Sequence, residues 1–270
     1  MPELPEVETA RRGLEPHLIG RRITGVRVRQ PRLRWPVPAD LERVIPGQRV
    51  LAVERRAKYL LLRLDGGTLM VHLGMSGSLR VLGTDVPPGP HDHVDLLLGA
   101  HCLRLHDPRR FGAVLWTAED PLSHPRLREL GPEPLEAQFD GTYLRDQAAR
   151  RRVAIKSLIM DGRVVVGVGN IYANEALFLA GILPARPCRR IAQHRLERLA
   201  GAIKAVLSAA IEQGGTTLRD FVREDGRPGY FEQALRVYGR RGLPCPTCGE
   251  ALRERRIGQR SSVFCPRCQR

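Results

Sequence analysis

Gly131-Pro132-Glu133-Pro134 is the stretch on which the reading of this chain turns. A glycine and two prolines within four residues cannot continue a helix or a central strand, so the segment marks a break. Upstream, from about residue 23 to 116, apolar residues come in short runs. Ile23-Thr24-Gly25-Val26-Arg27-Val28 and Leu79-Arg80-Val81-Leu82 alternate, as half-buried strands do. Tyr59-Leu60-Leu61-Leu62 and Leu69-Met70-Val71 read as buried strands, with Gly66-Gly67 supplying the turn between them. Many short strands with turn signals predict a sandwich or a flattened barrel. Downstream the period changes. Ile203, Val206, Leu207, Ala210 and Ile211 share one face of a helix running from about Arg195 to Gln213, stopped by Gly214-Gly215. One further amphipathic helix opens the chain, with Leu4, Val7, Leu14 and Leu18 at helical spacing. The fold class is therefore α+β, β-rich before the break and helical after it.

The last 35 or so residues follow a third logic. Cys245-x2-Cys248 and Cys265-x2-Cys268, with 16 residues between the pairs, have the spacing of a zinc site. So short a span cannot hold a core alone, and the metal supplies much of its folding energy. Four thiolates leave no open coordination position, so one structural Zn(2+) ion is expected. Arg253, Arg255, Arg256 and Arg260 lie between the knuckles on a predicted hairpin, where they would meet phosphates. Cys102 and Cys188 stand apart as reduced thiols of a cytoplasmic protein.

Charge narrows the partner. With 44 Lys+Arg against 29 Asp+Glu, the 270-residue chain carries a formal net charge of +15. Such an excess suits a polyanion, because basic side chains release condensed counterions from phosphate. A GC-rich genome, in which Arg replaces Lys, would give a similar composition. No run approaches the roughly 18 apolar residues of a membrane span, and the acidic start Met1-Pro2-Glu3-Leu4-Pro5-Glu6 lacks an apolar signal core.

Six motifs in order carry a family resemblance. They are Pro2-Glu3-Leu4-Pro5-Glu6-Val7-Glu8-Thr9, Lys58 within Arg55-Arg56-Ala57-Lys58-Tyr59-Leu60-Leu61-Leu62, and His72-Leu73-Gly74-Met75-Ser76-Gly77, followed by Asp107-Pro108-Arg109-Arg110-Phe111-Gly112, Val166-Gly167-Val168-Gly169-Asn170-Ile171-Tyr172 and the cysteine knuckles. Together they resemble the formamidopyrimidine-DNA glycosylase family from residue 2 to 268. The resemblance implies an N-terminal β-sandwich domain (1–131), a helix-two-turns-helix domain with a lesion-recognition loop (132–234) and a C-terminal zinc finger (235–270), with damaged double-stranded DNA in the cleft between.

It also implies the chemistry. Pro2, exposed by removal of Met1, would be a secondary-amine nucleophile that forms a Schiff base with the deoxyribose. Glu3 would be a general acid/base, with Glu6 assisting; Lys58 an acid/base near sugar and phosphate; Arg260 a phosphate grip that aids δ-elimination. Met75, Arg109 and Phe111 would fill the gap left by an extruded base. His91, Arg151 and Lys156 would contact DNA, and Asn170 would bind phosphate at a helix start. Gly214 to Gly229, with four glycines, predicts a mobile loop, in which Thr216 and Thr217 would read the base. The expected protein is a monomeric bacterial repair enzyme for oxidised purines, acting on the nucleoid. The alternatives are an endonuclease VIII-type enzyme for oxidised pyrimidines and a non-catalytic damage-binding zinc protein.

Overall fold

The computed structural model describes residues 2–214 and 235–270. These form two compact units, residues 2–128 and residues 129–213 with 235–270.

The first unit opens with α1 (Leu4–Leu18) and continues through β1 (Gly25–Val28), the short α2 (Leu41–Val44), β2 (Val50–Arg56), β3 (Tyr59–Leu64), β4 (Gly67–His72), β5 (Ser78–Gly83), β6 (Asp92–Leu98), β7 (His101–His106) and β8 (Ala113–Thr117). They pair into two four-stranded antiparallel sheets, ordered β1-β6-β7-β5 and β2-β3-β4-β8. Val26, Leu79, Leu96 and Leu105 of the first sheet share one core with Val53, Leu60, Leu62, Leu69 and Val71 of the second. Two sheets facing each other across a common core make a sandwich, not a barrel. Val7, Leu14 and Leu18 reach the same core, which is why α1 has an apolar stripe.

The turn expected at Gly66-Gly67 lies one residue earlier. Leu64 pairs with Gly67, so Asp65-Gly66 makes the turn and Gly67 opens β4. Glycine is needed there because a Cβ would sit 2.3 Å from the Thr117 carbonyl of β8.

The second unit comprises α3 (Gly141–Ala149), α4 (Ile155–Ile159), α5 (Asn170–Leu179), α6 (Gln193–Glu212), and the antiparallel hairpin β9 (Arg253–Ile257) and β10 (Arg260–Phe264). The long helix starts two residues before the sequence reading and ends where expected. Gly214, at φ +81°, supplies the left-handed conformation that ends a helix without a Cβ penalty. Phe178 of α5 packs with Val237, Leu252, Val263 and the buried Cys245 and Cys265 in a small core. Among the described residues no helix is long and apolar enough to cross a membrane. The base-reading loop, with Thr216 and Thr217, falls outside the described residues.

Candidate functional site

Pro2 and Glu3 are both buried where α1 begins. Glu3 takes the N-cap position, and its backbone N–H donates to the Glu6 carboxylate at 2.7 Å. Glu6 thus closes the first turn and satisfies an N-terminal donor. The Pro-Glu opening is a helix start as well as a candidate reactive end.

Lys58 occupies the two-residue turn between β2 and β3, where Arg56 pairs with Tyr59. Ala57 beside it holds φ +56°, a left-handed strain that non-glycine residues rarely accept. Arg55 explains how this turn is tied to α1. Its Nε donates to Glu8 of α1 at 3.1 Å and its Nη1 to the Ala57 carbonyl at 3.1 Å. Burial would raise the Glu8 carboxyl, but the Arg12, Arg11 and Arg55 guanidiniums outweigh that and hold it below the ordinary range. One arginine therefore links the helix that starts at the Pro2 end to the turn bearing Lys58.

His72, at the end of β4, lies opposite Tyr59, ring centroids 4.8 Å apart. Burial, then the charges of Lys58 and Arg34, push its pKa down to about 3, so the ring is neutral at physiological pH. Its Nδ1 accepts the Gly74 N–H at 3.0 Å, at the start of the Met75 turn. Met75 is half-buried, whereas Phe111 is 44% exposed. The Arg109 guanidinium stacks 5.0 Å from the Phe111 ring centroid. His91 is exposed at the entry to β6, its ring 5.9 Å from that of His106. Structure thus brings Met75, Arg109, Phe111 and His91 onto connected turns of the first unit.

In the second unit Asn170 is the first residue of α5, and its Oδ1 is buried with no hydrogen-bond partner among the described residues. An orphaned polar atom at a helix N-terminus fits a ligand contact. Arg151 is half-buried and donates from Nη1 to the carbonyl and the side chain of Gln147 at 2.6 and 2.7 Å. Lys156 departs from its expected place. It is 1% exposed, and its ammonium donates to the Ser261 carbonyl at 2.6 Å and the Ser262 hydroxyl at 2.7 Å. A buried ammonium satisfied by protein oxygens holds the hairpin; as placed here it does not present its charge to a phosphate. Arg253, Arg255, Arg256 and Arg260 are exposed along that hairpin, because both faces of β9 are open to solvent over residues 253–256.

The four cysteine sulfurs lie within 4.8 Å of one another. Cys245 and Cys268 are 3.9 Å apart and Cys248 and Cys265 3.5 Å, near the roughly 3.8 Å edge of a tetrahedron with zinc–sulfur bonds of about 2.3 Å. Backbone N–H groups of Thr247 and Cys268 point at the sulfurs of Cys245 and Cys265, both at 3.4 Å, as knuckle turns require. Crowded sulfurs resist ionising together, which pushes Cys268 up to about 12, with Cys248 the main cause; a divalent cation reverses that preference. The donor set fits one structural zinc ion.

Arg55, His72 and Asp107 carry no individual expectation in the sequence, although all three stand inside the family motifs; motif membership is the available signal, and their partners are not legible there.

A β-sandwich whose N-terminal helix starts at a buried Pro-Glu pair, followed by a helical unit ending in a thiolate zinc hairpin, defines the architecture of a class of DNA-repair glycosylases. The matches are continuous with it. The formamidopyrimidine-DNA glycosylase N-terminal domain model matches residues 1–114, the formamidopyrimidine-DNA glycosylase H2TH domain model residues 130–222, and the zinc finger found in FPG and IleRS residues 242–270. This chain belongs to the formamidopyrimidine-DNA glycosylase family. It is 63% identical over 271 residues to the formamidopyrimidine-DNA glycosylase of Methylococcus capsulatus, covering 100% of both chains. It is similar to the crystal structure of the MutM (Fpg) protein from Thermus thermophilus, with TM-score 0.89 and 40% identity over 99% of this chain and 98% of that one. A Lactococcus lactis Fpg variant in complex with Fapy-dG-containing DNA matches at TM-score 0.93 and 31% identity, over 100% of both chains.

Proposed function

We infer that this protein is a base-excision repair enzyme, a bifunctional DNA glycosylase and abasic-site lyase that removes oxidised purines, 8-oxoguanine and formamidopyrimidines, from double-stranded DNA. It works as a monomer in the bacterial cytoplasm, at the nucleoid, through three domains spanning 1–131, 132–234 and 235–270. The observation that carries the reading is an intact Pro2-Glu3 pair at the start of α1 in a chain that belongs to this family along its length.

Removal of Met1 frees the Pro2 nitrogen as a secondary amine, partly unprotonated at neutral pH because an α-amine titrates near 8. The nitrogen bonds to C1′ of the damaged nucleotide as the glycosidic bond breaks, and the base leaves with a proton. Glu3, beside the nucleophile, supplies the proton that opens the sugar ring, leaving an iminium ion on Pro2. That cation draws electrons from the C2′–H bond; loss of this proton expels the 3′ phosphate. A second elimination expels the 5′ phosphate, with Arg260 on the leaving group and Lys58 moving a proton near the sugar. Water then releases Pro2.

The target base must leave the stack first, at a cost of a few kcal/mol. Met75 and Phe111 supply apolar surface to fill the gap, and Arg109 supplies donors for the widowed partner base. His91, Arg151 and the α5 N-terminus at Asn170 hold phosphates. Zinc, held by Cys245, Cys248, Cys265 and Cys268, keeps the Arg260 hairpin folded and takes no part in bond breaking.

Borohydride added during reaction with a duplex containing 8-oxoguanine opposite cytosine should reduce the iminium to a stable adduct that maps to Pro2. Absence of an adduct would point to a binder, and preferential trapping on an oxidised-pyrimidine duplex to an endonuclease VIII-type specificity.

A further inference from the structure

Asp107 is completely buried, yet none of the steps above uses it. Its Oδ1 accepts the Ser76 hydroxyl at 3.0 Å, and its Oδ2 accepts the Gly112 N–H at 2.7 Å. Its backbone N–H donates to the His91 carbonyl at 2.9 Å, and its own carbonyl meets His93 Nε2 at 2.8 Å and accepts the Arg110 N–H at 3.1 Å. One residue therefore joins three stretches of chain: the turn at 73–77 that bears Met75, the turn at 107–112 that bears Arg109 and Phe111, and the start of β6 beside His91.

Little slack is left between the two turns. Gly74, at φ +65°, lies so close to the second turn that a Cβ on it would be 2.3 Å from the Phe111 carbonyl carbon and 2.4 Å from the Gly112 nitrogen. A Cβ on Gly112 would be 2.9 Å from Asp107 Oδ2. Gly77 N–H closes the first turn onto the Leu73 carbonyl at 2.8 Å, and His72 accepts from Gly74 within it. A carboxylate out of water, with an O–H and an N–H aimed at its two oxygens, is a stiff bracket, because losing either donor leaves a buried charge under-solvated.

We propose that Asp107 is a positioning residue that locks Met75, Arg109 and Phe111 into one preset wedge before DNA is engaged. The proposal rests on the reading of those three as the groups that enter the duplex. Two turns that moved independently would have to be ordered at the moment of insertion, and a displacement of about 1 Å at such a site costs on the order of 100-fold in rate. With the bracket in place, that ordering is complete in the free protein.

The test pairs Asp107→Asn with Ser76→Ala. Asparagine keeps the shape but turns one acceptor into a donor facing a donor; Ser76→Ala removes a single arm and leaves the carboxylate on Gly112. Two single-turnover rates are read for each: excision from an 8-oxoguanine:cytosine duplex, and scission of a single-stranded oligonucleotide carrying an abasic site, which needs no wedge. Both variants should slow the duplex reaction by about 10- to 100-fold while the single-stranded rate stays within about twofold. An equal loss on both substrates would make Asp107 merely structural, and an unchanged duplex rate would remove the bracket; either overturns the proposal. Met75→Ala and Arg109→Ala serve as reference. If they slow the duplex step and the bracket variants do not, the bracket alone fails; if they leave it untouched, the wedge reading fails and takes the bracket with it. Should Asp107→Asn not fold, Ser76→Ala decides.

Discussion

The Lys156 ammonium and the Ser262 hydroxyl, 106 positions apart in the chain, lie 2.7 Å from each other in the interior of the helical unit. The same ammonium takes the Ser261 carbonyl, and Asn174 of α5 accepts the Val263 N–H at 3.0 Å. Gln269 adds a third tie, accepting from Cys265 N–H and donating to the Ile182 carbonyl, both at 2.9 Å. The hairpin that carries Arg260 is thus fastened to α4 and α5 by buried polar bonds, whereas the four cysteines tie the module only to itself.

Lys156→Met should keep the volume and remove those donors. Leaving buried oxygens unsatisfied costs about 1–3 kcal/mol, so the variant should unfold at lower temperature or denaturant concentration. Ser262→Ala, which leaves the Ser261 carbonyl bonded, should lose less. Equal stability of Lys156→Met and the parent would show that the tie contributes nothing.

Zinc removal should act locally. One equivalent of zinc per chain is expected by elemental analysis, and a strong chelator should release it, unfolding the hairpin module while the sandwich keeps its circular dichroism. Binding to duplex DNA should fall with the loss of the Arg260 surface. Cys248→Ser should lose zinc at a chelator concentration the parent survives.

Asp95 and Arg104 sit opposite each other on β6 and β7, 1% and 3% exposed, with two parallel bonds of 2.9 and 3.0 Å and a third to Asp95 from Arg29 at 2.6 Å. Burial would raise the Asp95 carboxyl, but Arg29 and Arg104 outweigh it and hold the carboxyl below its usual range. Asp95→Ala removes both parallel bonds and leaves the buried Arg104 with the Val86 and Pro87 carbonyls and the more distant Asp92 carboxylate at 3.7 Å, so it should destabilise the fold by up to about 3–5 kcal/mol in denaturant titrations. Replacing Arg29, which is partly exposed, should cost far less.

His72 makes stability depend on pH. Its folded pKa of about 3 lies below the ordinary 6.5, so between those values the unfolded chain binds the extra proton. Its contribution is complete above about pH 6.5 and is lost as pH falls toward 3, at up to about 1.4 kcal/mol per pH unit. His72→Gln should flatten the acid limb of the stability curve relative to the parent. A parallel pair of curves would contradict this.

Arg260 should contribute one phosphate contact. The slope of log affinity against log salt should fall by about 0.9 in Arg260→Ala. With abasic DNA, the variant should accumulate β-elimination product at the expense of δ product. Unchanged slope and product ratio would relieve Arg260 of both roles.

Read alone, the chain already contained the order of its parts. The helical period of Leu4 to Leu18 and Ile203 to Ile211, the alternation around Val26 and Val81, and the Cys-x2-Cys pairs are local patterns, because helix pitch, strand pleat and knuckle geometry each repeat within a few residues. The break at Gly131–Pro134 is local too, since proline acts on its own dihedral and its neighbour's. Sandwich against barrel was not local: it depended on which strands paired, and the β1-β6-β7-β5 order joins segments some 70 residues apart.

Lys156 shows the limit most clearly. By residue type and family position it reads as a DNA contact, but whether an ammonium meets water, DNA or protein oxygens is decided by what folds over it, here a hairpin more than 100 residues later. Asp107 is the converse case: an acidic residue in a basic motif whose partners Ser76 and Gly112 come to it only when β4 pairs with β8 in one sheet and β5 with β7 in the other. The sequence by itself determined the elements, the metal ligands and the candidate reactive groups, since those follow from residue type and short-range spacing. Only the tertiary structure decided which charges are buried and what satisfies them, because desolvation depends on everything packed around a group and not on its neighbours in the chain.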